Sequence, residues 1–316
     1  MWAPPTAEAA RRSIRAMTLA RLHGIDPGRI GVFAGPLNGQ PASVQREFVR
    51  EMEQLGYGTL WYGESLAREA LSQGAVYLAA TEQLVIASGI ANIWVRDAAA
   101  MANGGRTLAE AWPGRFILGL GVGHATNVRV RGHEYARPYS AMCEYLDAMA
   151  AAPWRGPDAE MPPIVLAALG SRMVGLAGDR TAGAYPYFTT AAHLREVRSI
   201  LGAEAFLAAD LPVVFAPDLA AARTIGDRHL SYYMGSANYR NNLLRLGWSE
   251  ADLEPPGSQA LFEAIVAWGG LDGIAQRVGE RFEAGADHVV LNLVAADPSI
   301  PPLAELRQLA PLNHRG

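Results

Sequence analysis

The chain has 316 residues, a formal net charge of −4 and a hydrophobic fraction of 50%. This balance predicts a soluble globular protein that binds neither membrane nor nucleic acid, because no uncharged apolar run reaches the roughly 18 residues of a membrane span and no basic surface is evident. The single cysteine, Cys143, excludes a disulfide framework and predicts a reducing, cytoplasmic location.

The first 29 residues are predicted to form an arm or a helix. They contain Arg11, Arg12, Arg15 and Arg21 but not the apolar core of a secretory signal. From residue 30 to residue 316 the pattern predicts one domain, in which apolar strands alternate with amphipathic helices.

Eight stretches are typical of strands that are buried on both faces. They are Ile30–Phe33, Thr59–Tyr62, Leu84–Ser88, Phe116–Gly121, Ile164–Ala168, Gly183–Phe188, Leu211–Phe215 and His288–Val294. The predicted helices lie near Val44–Leu55, Leu71–Glu82, Ala98–Ala111, Ser140–Ala151, Arg172–Arg180, Ala191–Leu201, Leu219–Arg228 and Leu303–Leu309. This alternation predicts an α/β fold, a (β/α)8 TIM barrel.

One connection is far longer than a single crossover needs. It runs from Phe215 to His288 and contains apolar residues at helical spacing around the break at Pro255–Gly257. We therefore predict a helical insertion at about residues 227–270, after the seventh strand. Such an insertion either caps the catalytic face or forms a subunit contact. Tyr232, Tyr233 and Tyr239, which lie within it, are interpreted as core or interface residues.

Candidate site residues follow from the rule that barrel enzymes work at the carboxyl ends of their strands. Two apolar runs, Leu84–Asn92 and Arg115–His124, end there in small residues, which predicts a pocket floor that a ligand can approach closely. His124 ends the second run and is the first candidate for chemistry. Glu64 and Arg68, after the second strand, either form a local ion pair or take part in catalysis.

The end of the fifth strand is a candidate phosphate site. Gly170 lets the backbone come close, Ser171 can cap the next helix, and the free amides of the first turn lie beside Arg172. The alternative is an ordinary strand-to-helix turn. Gly119, Gly121 and Gly123 match a dinucleotide fingerprint poorly, because no helix follows directly.

Two features missing from the sequence exclude several classes of enzyme and binding site. The sequence has no lysine, which excludes Schiff-base aldolases, pyridoxal phosphate enzymes and P-loop proteins. No histidine pair or carboxylate cluster follows the strands, so no metal site is predicted. A pocket of glycine, backbone amides, aromatics and arginine suits a large, flat, anionic cofactor.

Several motifs resemble the luciferase-like superfamily of flavin and deazaflavin enzymes. They are WYGES at Trp61–Ser65, ASGIANIW at Ala87–Trp94, GRFILGLGVGH at Gly114–His124 and ALGSRM at Ala168–Met173. The later stretches PYF at Pro186–Phe188 and NYRNNL at Asn238–Leu243 resemble its coenzyme F420-dependent oxidoreductases. The similarity begins at Arg29 and keeps the strand order. It implies the barrel with its insertion, and a homodimer.

The resemblance also implies roles for particular residues. A non-prolyl cis peptide is expected at Gly89-Ile90, where Gly89, Ile90, Ala91 and Asn92 would lie against the cofactor ring. The cofactor phosphate would be held at the ends of the fourth and fifth strands by Gly121, Val122, Gly123, Gly170, Ser171 and Arg172. His124 matches the position of an acidic proton donor. The family histidine after the second strand is replaced by Ser65, which shifts the acid/base role to His124, Glu64 and Arg68.

The expected function is hydride transfer between coenzyme F420 and a small or medium organic substrate. One alternative is an FMN-dependent monooxygenase of the same fold. Another is a flavin-binding barrel that holds its cofactor without turnover, because loss of the family histidine is what such decay would produce.

Overall fold

Eight parallel strands form a closed barrel in the computed structural model, which describes residues 17–314. The barrel strands are β1 (Ile30–Phe33), β2 (Thr59–Tyr62), β3 (Val85–Ser88), β5 (Phe116–Gly121), β6 (Ile164–Leu166), β7 (Gly183–Ala184), β8 (Phe206–Phe215) and β10 (His288–Leu293). Pairing of β10 with both β8 and β1 closes the ring. Two short strands, β4 (Ala91–Asn92) and β9 (Ala267–Gly269), add to β5 and β8. The predicted (β/α)8 barrel is confirmed.

Most of the helices surround the barrel and cover its outer face. They are α1 (Ala42–Gln54), α2 (Ala70–Leu78), α3 (Ala98–Ala111), α4 (Ala125–Val130), α5 (Pro138–Ala150), α6 (Ser171–Arg180), α7 (Ala191–Leu201), α8 (Leu219–Met234), α9 (Ala237–Arg245), α10 (Gln259–Ile265), α11 (Leu271–Glu283) and α12 (Leu303–Leu309). Within residues 17–314, no helix is long and apolar enough to cross a membrane.

The barrel interior is filled by side chains from successive strands. Trp61 and Tyr185 pack with ring centroids 4.5 Å apart, and Ile117, Phe206 and Val290 belong to the same buried cluster. Because both faces of the strands are covered, every residue of β2, β3, β5 and β10 is buried. This explains why these strands appear in the sequence as continuous apolar runs.

Two strand boundaries differ from the sequence prediction by more than two residues. β7 ends at Ala184 instead of Phe188, and Phe188 itself adopts a left-handed backbone with φ 55°. β8 begins at Phe206 instead of Leu211. The missed part contains Asp210, a charged residue that argues against a buried strand, yet its carboxylate is fully buried and accepts hydrogen bonds there.

The connections also contain elements that the sequence did not predict. α4 lies between β5 and the helix predicted near Ser140–Ala151, and β9 lies within the long connection between β8 and β10. Helices α8 to α11 make up most of that connection. At the amino end, residues 17–21 are helical, and the remainder of the predicted arm, residues 1–16, lies outside the described residues.

Candidate active site at the carboxyl end of the barrel

The turn after β3 contains a cis peptide bond between Gly89 and Ile90, which confirms the prediction. The Gly89 amide donates a 2.6 Å hydrogen bond to the Tyr62 carbonyl oxygen, and the Glu64 amide donates to the Ile90 carbonyl oxygen at 3.1 Å. A β-carbon on Gly89 would lie 2.9 Å from the Tyr185 ring. Close packing inside the barrel mouth therefore requires glycine at this position.

Glu64 is a buried carboxylate that connects three chain segments. Its side chain is 1% exposed and forms an ion pair with Arg96. Its two oxygens also accept hydrogen bonds from the Ala70 amide at 3.0 Å and the Asn92 amide at 2.7 Å. Arg96 additionally contacts Glu69 at 2.6 Å. These contacts tie the end of β2 to the turn after β3 and to the start of α2.

Arg68 does not take part in this network. Its guanidinium donates to the carbonyl oxygen of Gln40 at 2.7 Å. The predicted local ion pair of Glu64 with Arg68 is therefore wrong. Arg68 instead binds the Gln40 carbonyl oxygen. The Glu64 carboxylate is paired with Arg96, which follows the neighbouring strand β3.

Small residues at the end of β5 let the turn after β3 pack against it. A β-carbon on Gly121 would lie 2.6 Å from Cγ1 of Ile90, and one on Gly123 would overlap the Asn92 amide group. Gly123 also has φ 62°, a left-handed conformation that favours glycine. Gly121 is buried against Ile90 and supports the turn after β3, whereas Val122 and Gly123 remain partly exposed.

His124 follows directly and precedes α4. Its Nδ1 is buried and has no hydrogen-bond partner among the described residues. Burial lowers the pKa of His124, and a hydrogen bond with the Asn238 side chain partly opposes that shift. The imidazole also lies against Tyr239, with ring centroids 5.6 Å apart. His124 is thus a neutral base near neutral pH, with one unsatisfied nitrogen.

The start of α6 lies at the same end of the barrel. Its N-cap is Gly170, no side chain caps the helix, and Ser171 is the first helical residue. The prediction that Ser171 caps the helix is therefore wrong. Gly170, Ser171 and Arg172 are all exposed, and a β-carbon on Gly170 would meet no atom within 4 Å. Arg172 stacks on the Tyr139 ring at 4.1 Å.

This arrangement fits an anionic group. The first-turn amides of α6 lack a side-chain acceptor, and among the described residues no carboxylate forms an ion pair with Arg172. The positive end of a helix and an unpaired guanidinium both favour a phosphate. The residues present therefore fit the phosphate of a flavin or deazaflavin cofactor.

Aromatic rings from α8 and α9 pack onto the barrel mouth. Tyr233 lies 5.1 Å from Phe188 and 5.0 Å from Tyr187, and Tyr239 lies 5.6 Å from Phe188, all between ring centroids. Tyr239 is 7% exposed, whereas Tyr232 is 67% exposed. The start of the long connection therefore forms one wall of the mouth.

A buried polar chain leads from the barrel interior to this wall. The Asn292 amide donates to Asp210 at 3.2 Å and to the Tyr187 hydroxyl at 2.5 Å, and the Tyr187 hydroxyl lies 2.9 Å from that of Tyr233. The Phe188 amide also donates to Asp210 at 3.2 Å. Burial raises the pKa of Asp210 to about 7.

With this geometry established, comparison with known proteins identifies the family. A model described as luciferase-like monooxygenase matches residues 21–288. The chain belongs to this family. A Mycobacterium tuberculosis protein named as a coenzyme F420-dependent oxidoreductase is 27% identical over 120 residues, which cover 38% of this chain and 35% of that protein. The match thus spans about a third of this relative.

Several solved structures share the fold. An F420-dependent secondary alcohol dehydrogenase, in complex with an F420-acetone adduct, superposes with a TM-score of 0.71 at 17% identity, covering 90% of this chain and 98% of that one. The coenzyme F420-dependent tetrahydromethanopterin reductase of Methanopyrus kandleri gives 0.69 at 15% identity, covering 89% and 96%. The oxygenating constituent of Pseudomonas putida 3,6-diketocamphane monooxygenase, in complex with FMN, gives 0.67 at 16%, covering 90% and 96%.

The structure brings most of the predicted residues to one end of the barrel and adds others. Gly89 to Asn92, Val122 to His124 and Gly170 to Arg172 follow neighbouring strands, while Arg68 contacts a separate loop. Sequence reasoning missed Asp210, Asn292 and His229. Asn292 could have been found as the one polar side chain in the apolar part of the His288–Val294 run. His229 carried no such signal, because it lies in a polar helical stretch.

Proposed function

We propose that this chain is a coenzyme F420-dependent oxidoreductase that transfers a hydride between the deazaflavin and a small or medium organic substrate. The observation that carries the proposal is the uncapped start of α6, where Gly170 leaves open space and Arg172 has no carboxylate partner in the described part of the chain. It lies at the same barrel end as the cis peptide and His124. The F420-dependent relatives favour the deazaflavin over other phosphate-bearing cofactors.

Each group of residues has a defined task in this proposal. The first-turn amides of α6, with Arg172 and the backbone of Val122 and Gly123, hold the cofactor phosphate. The backbone from Gly89 to Asn92 supports the ring. When bound, the reduced deazaflavin supplies the hydride.

His124 moves the proton in this scheme. Its Nδ1 is buried without a partner among the described residues, and its lowered pKa keeps the imidazole neutral near pH 7. A neutral imidazole accepts the proton of a substrate hydroxyl when the substrate is oxidised, and the imidazolium so formed gives that proton to the substrate oxygen when the substrate is reduced. Glu64 is a positioning residue, because its oxygens are occupied by Arg96 and two backbone amides. It holds the turn after β3, which carries the cis peptide.

The second candidate is an FMN-dependent monooxygenase. It is supported by the similarity to the FMN-bound camphane monooxygenase component, and the phosphate site suits FMN equally well. The two candidates differ in their requirement for oxygen.

An anaerobic assay separates them. Chemically reduced F420 is mixed with the protein and a panel of enones, imines and ketones, and the return of oxidised F420 absorbance is recorded. We expect the absorbance of oxidised F420 to return only when both the protein and an acceptor are present, and to return without oxygen. Oxygen uptake with reduced FMN, combined with no F420 oxidation for any acceptor, would favour the monooxygenase. Binding of either cofactor without turnover of any kind would indicate a cofactor-holding barrel.

A further inference from the structure

A second concave feature lies at the mouth of the barrel, on the side away from the α6 phosphate site. It is a pocket of 430 Å³ between the ends of β1, β7 and β10 and the helix α8. Phe33, Tyr187, His229, Tyr232, Tyr233 and Asn292 supply its aromatic and polar lining. We call it the aromatic pocket.

The aromatic pocket adjoins the cis peptide. Phe33 lines the pocket, and its ring lies 3.4 Å from the point that a β-carbon on Gly63 would occupy. The carbonyl oxygen of Gly89 lies 3.5 Å from that same point. Tyr187, which also lines the pocket, contacts Phe33 edge-on at 5.8 Å between centroids. A ligand in the pocket would therefore lie next to the proposed position of the cofactor ring.

The lining favours a flat, uncharged ligand. Several rings offer stacking and edge contacts, which planar molecules exploit. Arg228 is the one charged residue in the described lining, and its guanidinium donates to the carbonyl oxygen of Ala295 at 3.1 Å. No acid lines the pocket within residues 17–314. A cationic ligand would therefore find no counter-charge there, and the positive charge of Arg228 already interacts with the Asp297 carboxylate outside the lining.

The buried polar chain of Asp210, Asn292 and Tyr187 orients the hydroxyl hydrogen of Tyr233. Because the Asn292 amide donates to the Tyr187 oxygen, the hydroxyl hydrogen of Tyr187 has the Tyr233 oxygen as its acceptor. The hydroxyl hydrogen of Tyr233 is then free to donate to a ligand. Asp210 fixes this order, because it accepts the other hydrogen of the Asn292 amide.

His229 offers a second polar atom beside Tyr233. Its ring centroid lies 4.8 Å from that of Tyr233, and its Nε2 is buried without a hydrogen-bond partner among the residues described. Burial and the nearby Arg228 lower the pKa of His229 to about 3, so the imidazole is neutral. An unsatisfied buried nitrogen costs free energy unless a ligand pairs with it.

We propose that the aromatic pocket is the substrate subsite and that it binds a planar, uncharged carbonyl compound whose oxygen accepts a hydrogen bond from Tyr233, with His229 as the second polar contact. This inference rests on the proposed function, because it assumes that the cofactor ring occupies the space next to the aromatic pocket. Asn292 and Asp210 act as positioning residues for the Tyr233 hydroxyl.

Calorimetric titration of the full chain, without cofactor, tests the subsite. The probes are coumarin, a planar bicyclic carbonyl compound, and 2H-chromene, a closely similar bicycle without the carbonyl. We expect coumarin to bind more tightly than 2H-chromene. Tyr233→Phe should weaken coumarin by about five- to tenfold, the loss of one neutral hydrogen bond, and leave 2H-chromene unchanged. Tyr57→Phe, which removes a buried hydroxyl bonded to Leu306 far from the pocket, is the matched control.

Two further titrations distinguish the aromatic pocket from the cofactor site. Val294→Trp, which places a large ring in the pocket lining, should abolish coumarin binding while F420 still binds. Coumarin should bind equally well to the F420-saturated protein. Equal affinity for the two probes, unchanged coumarin affinity in Tyr233→Phe, or displacement of coumarin by F420 would overturn the proposal. Coumarin binding without any F420 binding would instead contradict the proposed function and leave the subsite standing.

Discussion

The indole N–H of Trp61 donates a 3.0 Å hydrogen bond to Nε2 of His288 inside the barrel. Nδ1 of the same imidazole lies 2.9 Å from the Gly28 carbonyl oxygen. Because Nε2 accepts, Nδ1 carries the hydrogen, and protonation of Nε2 would set two N–H groups against each other. Burial lowers the pKa of His288 to about 4.

We therefore expect stability to fall on acidification. In the unfolded chain a histidine binds its proton near pH 6.5, whereas folded His288 binds it near pH 4. The stabilisation is complete above about pH 6.5 and decreases as the pH falls, by up to about 1.4 kcal/mol per pH unit. Urea unfolding of His288→Gln between pH 7 and pH 4.5 should show a shallower loss than the wild type. The exposed His133→Gln should keep the wild-type slope, and an equally steep slope in both variants would contradict this assignment.

Asp210 should give a pH dependence of opposite sign. Its pKa is about 7 in the folded protein against 3.8 for the free side chain, so the folded state holds a proton that the unfolded state releases. Stability from this residue falls as pH rises from about 4 to 7, again by up to about 1.4 kcal/mol per pH unit. Relative to wild type, Asp210→Asn should be more stable at pH 8 than at pH 5. The comparison isolates Asp210, because His288 and His229 titrate in both proteins. A stability difference between variant and wild type that stays constant from pH 5 to pH 8 would contradict this prediction.

Glu64 should matter for stability rather than for proton transfer. Glu64→Gln removes the buried partner of the 10%-exposed Arg96 and leaves only the outer Glu69 to pair with it, so we expect a cost of about 3 kcal/mol, the lower end of the range for breaking a buried ion pair. Glu69→Gln removes the outer carboxylate, which is 40% exposed, and should cost about 1 kcal/mol or less. Chemical unfolding compares the two. The pH profile of turnover in Glu64→Gln should keep its shape, and a shifted profile would return Glu64 to the acid/base chemistry.

His124 should be needed for turnover and not for cofactor binding. A positioned general acid or base contributes about 10²–10⁴-fold in rate, so His124→Ala should lose that much while F420 affinity stays within about twofold. His133→Ala serves as the control histidine. Steady-state turnover and F420 fluorescence measure the two effects separately, and full activity of His124→Ala would reduce this residue to a packing contact of Tyr239.

The sequence predicted the barrel because its signal is local and repeated. Apolar runs such as Phe116–Gly121 were found with their correct ends, since burial on both faces removes polar residues from them. The predicted strand begins too late, at Leu211, because the charged residue Asp210 interrupts the apolar pattern in the first half of β8. The partner that makes this charge acceptable, Asn292, lies in β10, and no local pattern connects the two residues.

The candidate site was predicted less completely than the fold. Turn glycines and the cis peptide were found, because small residues at strand ends and a family motif marked them. The partner of Glu64 was missed, since Arg96 comes from the next strand end and Arg68 is nearer in sequence. The wall formed by His229, Tyr233 and Tyr239 depends on how α8 and α9 pack onto the mouth, which periodicity alone does not determine.

Fluorescence titration with F420, run in parallel with FMN, tests the central claim most directly. Gly170→Leu fills the open space before α6, and Gly175→Leu adds the same side chain further along that helix, where it also meets no atom within 4 Å. We predict that wild type and Gly175→Leu bind F420 equally well and more tightly than FMN, and that Gly170→Leu weakens F420 binding by about tenfold or more. Tighter binding of FMN than of F420, or unchanged F420 affinity in Gly170→Leu, would contradict this account.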